Sequence, residues 1–186
     1  MKHVLIGSVC LLLLAAGCSK DKDGAAKPAP TSDASSSAVP TESATPTIEA
    51  PDPDAPAIDY ETSEDSGKVV TAPSDASGLS KASDDFKAFI SAELNRLQNE
   101  AGGDCPEKPT IRVNRLQNAG WASGGVTVPE CGGYAVLWAK QGGEWSQVWG
   151  GQELVECTTL VRYKFPVAVA GDQCLSQEGS ASTYRG

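Results

Sequence analysis

The run Tyr134-Ala135-Val136-Leu137-Trp138-Ala139-Lys140-Gln141-Gly142-Gly143-Glu144-Trp145-Ser146-Gln147-Val148-Trp149 reads as two strands around a turn. Tyr134, Val136 and Trp138 alternate with Ala135, Leu137 and Ala139, and Trp145, Gln147 and Trp149 alternate with Ser146 and Val148. Residues two apart share a face of a sheet. Gln141-Gly142-Gly143 between the runs is a hairpin signal, because glycine supplies the positive φ that tight hairpin turns need. With a three-residue loop, Tyr134, Val136, Trp138 and Val148 share one face, while Leu137, Trp145 and Trp149 share the other. A two-residue loop shifts the register by one and reshuffles the partners. In both cases each face carries large apolar groups.

Working outward, Ile111 and Val113 alternate with Arg112 and Asn114, and residues 121–128 form another extended stretch broken by Gly124-Gly125. Before them, Phe86, Phe89, Ile90, Leu94 and Leu97 make one apolar stripe at helical spacing, with Ser83 as N-cap, Asp84 and Asp85 in the first turn, and Ala101-Gly102-Gly103 as the stop. The spacing predicts a helix over about 84–100. The expected fold is α+β: one amphipathic helix laid across an antiparallel meander of about four strands. In 153–176, Leu160, Val161, Tyr163 and Phe165 could continue the sheet until Pro166 interrupts it. Asn95-Arg96-Leu97-Gln98-Asn99 recurs at 114–118, but its flanks differ, so it is no structural repeat; the pentapeptide is expected in a helix first and a strand second.

The expected domain covers 78–186, with ten basic and twelve acidic side chains. Residues 19–77 hold eight of the twelve prolines and four lysines against twelve acids, a balance of −8. Such a composition buries too little surface to offset the entropy of ordering. It is expected to be a disordered tether over 18–77, holding its ends about 40 Å apart as a flexible coil. At the N-terminus, Met1-Lys2-His3 precedes a 13-residue apolar run, 4–16, too short to span a membrane and fitting a signal peptide over 1–17. Leu14-Ala15-Ala16-Gly17-Cys18 resembles the lipobox of bacterial lipoproteins, with Ala15 where a branched residue is usual and Leu14 one place earlier. The resemblance implies cleavage before Cys18 and acylation of Cys18, hence a membrane partner through a lipid anchor and an extracytoplasmic location.

Removing Cys10 and Cys18 leaves Cys105, Cys131, Cys157 and Cys174. An even count in a small exported domain reads as two disulfides, with three pairings possible. Sequential pairing, Cys105–Cys131 and Cys157–Cys174, is expected, each bridge contributing roughly 3 kcal/mol in the chain-entropy model. No CxxC spacing supports a metal site, and the only histidine is His3, so no metal and no cofactor are expected. The net charge of −9 argues against nucleic acid. No phosphate loop, nucleophile elbow or zincin pattern occurs, and the scattered carboxylates form no recognisable pair, so catalysis is not expected.

Gly120-Trp121-Ala122-Ser123-Gly124, Leu137-Trp138, Trp145 and the tail of Cys157, Pro166 and Cys174 are similar to small secreted domains of unknown function in envelope lipoproteins of high-GC Gram-positive bacteria. The resemblance spans about 110–174 and implies an exported α+β domain without assigning an activity. The expected function is a non-catalytic binding or accessory domain contacting an envelope protein or wall polymer. A glycan-binding module and an inhibitor or decoy of a secreted hydrolase are the alternatives. Tyr134, Trp138, Trp145 and Trp149 are the candidate binding residues, with Trp145 and Trp149 expected on one exposed face; filling the core is the competing role for these rings.

Overall fold

A computed structural model describes residues 52–63, 65–102 and 105–186. The expected signal peptide, Cys18 and the tether up to residue 51 lie outside the described residues. The chain is mostly β, which corrects the α+β meander of about four strands. Strands β1 (Ile58–Asp59), β2 (Lys68–Val70), β3 (Thr110–Gln117), β4 (Trp121–Val128), β5 (Gly132–Gln141) and β6 (Glu144–Gly151) form one antiparallel sheet. A separate two-stranded sheet pairs β7 (Gln173–Leu175) with β8 (Ala181–Thr183). Among the described residues three α-helices accompany them, α1 (Asp84–Glu100), α2 (Cys157–Tyr163) and α3 (Val167–Ala170), with a 3-10 turn at Pro73–Gly78.

The two extra sheet strands come from the stretch assigned to the tether, which therefore ends earlier than residue 77. β2 pairs with residues 111–113 of β3 and β1 with residues 115–116, on either side of a β-bulge at Asn114. Strands of two and three residues carry no readable periodicity, and tertiary contacts hold them instead. Val70 is fully buried, the Tyr60 hydroxyl donates to the Ser80 carbonyl at 2.7 Å, and Glu61 binds Arg115 at 2.7 Å. Buried Gln117 donates from Nε2 to the carbonyls of Pro53 and Ala55. The incoming segment 53–57 and the C-terminal Tyr184, Arg185 and Gly186 line one groove of about 730 Å³.

The sheet has a core on each face. On the first, α1 buries Phe86, Ile90 and Leu94 against Ile111, Val113, Val136, Trp138 and Trp145. The Phe86 and Trp145 rings meet edge-on with centroids 4.8 Å apart. Ser83 occupies the N-cap position without a side-chain cap bond; its N–H instead donates to Asn118 Oδ1 at 2.9 Å. Trp138 lies over Gly124, where an added Cβ would sit 2.8 Å from the indole and 2.0 Å from the Arg112 carbonyl oxygen. Glycine is required there by space.

On the second face, Trp121, Leu137 and Ala139 pack under Leu160, Phe165 and Val169. Residues 157–163 are helical, which corrects the reading that Leu160, Val161 and Tyr163 continue the sheet. Thr158, Thr159 and Val161 favour strands locally, but α2 buries Leu160 and is held to β7 by a disulfide. Bridges join Cys105 to Cys131 and Cys157 to Cys174. Disulfides persist in oxidising compartments, so the domain is extracytoplasmic. No helix among the described residues is long and apolar enough to cross a membrane.

Candidate functional site

The hairpin turn settles which tryptophans can meet a ligand. Gln141 pairs with Glu144, so the loop is the two residues Gly142 and Gly143, both at positive φ. That register puts Trp145 on the α1 face beside Trp138. A bulge then intervenes: Trp138 pairs with Gln147 but Leu137 with Trp149, leaving Val148 as the extra residue of β6. The bulge reverses the alternation, and Trp149 joins the opposite face. Trp145 and Trp149 therefore do not share a face, which corrects the expected binding surface. Trp138 is 0% exposed and Trp145 9%, both core rings. Tyr134 is half-buried against the α1 cluster, where burial raises its hydroxyl pKa above the ordinary value. Of the four candidate rings, Trp149 alone keeps a partly open ring on the second face.

Trp145 is fixed as well as covered. Its indole N–H donates to Asp85 Oδ2 at 2.9 Å, and Lys140 Nζ reaches the same oxygen at 2.7 Å. Partial burial of Asp85 opposes ionisation, but these donors outweigh it and hold the carboxyl well below the usual carboxylate range.

On the second face α2 and α3 cover only part of the sheet. Ser123 Oγ donates to the Val169 carbonyl at 2.9 Å and the Trp121 indole to the Tyr163 carbonyl at 2.7 Å, which anchor the helices over one end. The uncovered end is a row in register across four strands, in which Arg112 on β3 is followed by the small residues Gly125, Ala135 and Gly151. Missing side chains leave a hollow of about 420 Å³ bounded by Arg112, Thr127 and Gln152. It runs into a second hollow of about 260 Å³ beside Trp149, Glu153 and Leu154, since Asn114, Gly124 and Ala135 line both. Together they make one cleft along the sheet.

Its walls are built from β3 and the chain after β6. A Cβ on Gly151 would lie 3.0 Å from Cζ2 of Trp149, so the ring rests against that glycine. Gln152 donates from Nε2 to the Gly133 carbonyl at 2.8 Å, tying the wall to β5. Leu154 is exposed beside it. On the far wall, Glu61 accepts from Asn114 Nδ2 at 2.9 Å and pairs with Arg115 at 2.7 Å. Arg112 differs from Arg115. Its Nη1 donates to Ser66 Oγ at 2.6 Å, and it has no carboxylate partner among the described residues.

No protein-family model, curated protein or solved structure matches this chain.

The cleft therefore has to be read from its own residues. Among the described residues no group of three or more His, Cys, Asp or Glu side chains could hold a metal. What the cleft presents is the Trp149 ring, the Arg112 guanidinium without a carboxylate partner, the Glu61–Arg115 pair, exposed Glu153, amide groups and a floor of small residues. Sequence reasoning missed Arg112, Gln152 and the glycine floor. Part of the signal was there in two glycine pairs, Gly124-Gly125 and Gly150-Gly151, which the register sets on either side of Ala135 and Val136.

Proposed function

We infer that this chain is a lipid-anchored extracytoplasmic protein that presents a small non-catalytic binding domain, and that the cleft beside Trp149 is its binding site. Gly17-Cys18 after a short apolar run supports the anchor, and acylation of Cys18 would hold the protein at a membrane through the segment preceding residue 52. The observation that carries the binding role is the asymmetry between the faces of the sheet. One face is closed by α1, while the other is left concave where α2 and α3 stop, with a partly open tryptophan and a free arginine at its margins. Concave sites with a few placed polar groups are where ligands bind, and tryptophan and arginine dominate binding energy where they are desolvated.

Two experiments test the two halves. Cys18→Ala should move the protein from the membrane to the soluble fraction; unchanged fractionation refutes the anchor. The purified domain should sediment with isolated cell envelopes, and Trp149→Ala should reduce the bound fraction at least tenfold. Sedimentation indifferent to Trp149 would refute the cleft as the site.

A further inference from the structure

We propose that the ligand of this cleft is an acidic saccharide, its ring stacked on Trp149 and its carboxylate held by Arg112. The proposal rests on the reading of the cleft as a binding site and adds the chemistry of what enters it.

Three features of the cleft select that chemistry. The first is that its floor offers no free main chain. β3, β4 and β5 each have strand neighbours on both sides, so their ladder groups are already paired. Sheets take extended peptides by main-chain pairing at a free edge. The cleft crosses these strands on the face of the sheet, and the free edge, that of β6 at Gly151, lies at its end and in the plane of the sheet, so recognition over the floor comes from side chains and from stacking. The second is the shape. Between the Arg112 and Gly151 strands lie three interstrand steps of ~4.8 Å, roughly 14 Å, over a floor of Gly125 and Ala135. The floor is long enough for more than one sugar ring lying along it.

The third is the charge layout. Arg112 sits at one end with Nη1 on Ser66 and no carboxylate partner, although it is only partly exposed. Arg115, one bulge along the same strand, is neutralised by Glu61 and by Asp59 at 3.6 Å. A half-buried guanidinium without an anion is matched by a carboxylate from outside, whose charge-assisted bond is stronger than one to a neutral acceptor. Glu153, exposed at the Trp149 end, has no ion-pair partner among the described residues and would accept from hydroxyls. The two ends fix one orientation, with carboxylate at Arg112 and a hydroxyl-bearing ring at Trp149.

The test titrates the purified disulfide-bonded domain with sialyllactose, a trisaccharide with one carboxylate on its terminal ring, and with neutral galactotriose, following tryptophan fluorescence and calorimetric heat. The expected result is binding of the acidic trimer at least tenfold tighter than the neutral one. Arg112→Gln should erase that difference, and Trp149→Ala should weaken both. Ala135→Glu, at an exposed floor position, should abolish acidic binding independently, which keeps the test sound if Arg112→Gln fails to fold. Equal binding of the two trimers, or a preference that survives Arg112→Gln and Ala135→Glu, overturns the acidic class. Binding of neither overturns the saccharide. In both cases Trp149-dependent sedimentation with envelopes would still stand, so the two readings fail separately.

Discussion

Replacing Gly124 by alanine tests the packing on which the sheet depends. The added methyl would stand 2.0 Å from the Arg112 carbonyl oxygen and 2.8 Å from the Trp138 ring. Ordinary contact begins near 3.4 Å, so β3 must withdraw by more than an ångström and the indole must also give way. Neither can yield freely: Val113 beside Arg112 is fully buried, and Trp138 is 0% exposed with Phe86 edge-on to it. Overpacking a tight core costs about 1–3 kcal/mol, and loss of one ladder hydrogen bond about 1 kcal/mol more, so Gly124→Ala should destabilise by about 2–4 kcal/mol. Urea denaturation followed by tryptophan fluorescence measures this directly. Trp138→Leu combined with Gly124→Ala gives a double-mutant cycle, in which shortening the ring should recover about 1 kcal/mol of the glycine penalty. A Gly124→Ala cost below about 0.5 kcal/mol, or strict additivity in the cycle, would refute the contact between Trp138 and Gly124.

Trp138→Ala should cost about 3–5 kcal/mol, whereas Trp149→Ala, removing a partly open ring, should cost less than about 2 kcal/mol; equal losses in urea melts would contradict their different burial. Paired Cys157→Ala and Cys174→Ala should lower stability by roughly 3 kcal/mol, read as a fall in urea midpoint, because α2 loses its bridge to β7. Asp85 has a folded pKa below its ordinary 3.8, so its contribution is present in full above that value and drains as pH falls below it. Asp85→Asn should therefore be destabilising at pH 7 and progressively less so towards pH 3; a penalty unchanged across that range would show that the Lys140 and Trp145 bonds do not depend on ionisation.

Legibility from sequence followed the length over which a pattern could run. Phe86, Ile90 and Leu94 recur at helical spacing through about two turns, and these are the residues that α1 buries. The repeated pentapeptide separates as expected, Asn95 to Asn99 in α1 and Asn114 to Gln117 in β3. β1 and β2 were invisible because two or three residues show no period, and proline and acid around them mask the single buried Val70. The α2 segment was misread because threonine and valine favour strands, and only the Cys157 bridge and Leu160 burial show otherwise. At the site, alternation of Trp145 and Trp149 was plain, but a single extra residue, Val148, reverses it, and no local feature of Ser146-Gln147-Val148 announces a bulge.

The groove shared by residues 53–57 and the C-terminus means that the chain enters and leaves the domain at one place. Neighbouring ends are what circular permutation needs. A permuted chain joining Gly186 to Pro53 through a few Gly/Ser residues, and opened between Gly142 and Gly143, would cut no core strand. Under the proposed anchor at Cys18, a cargo fused after Gly186 would emerge beside the incoming segment 53–57.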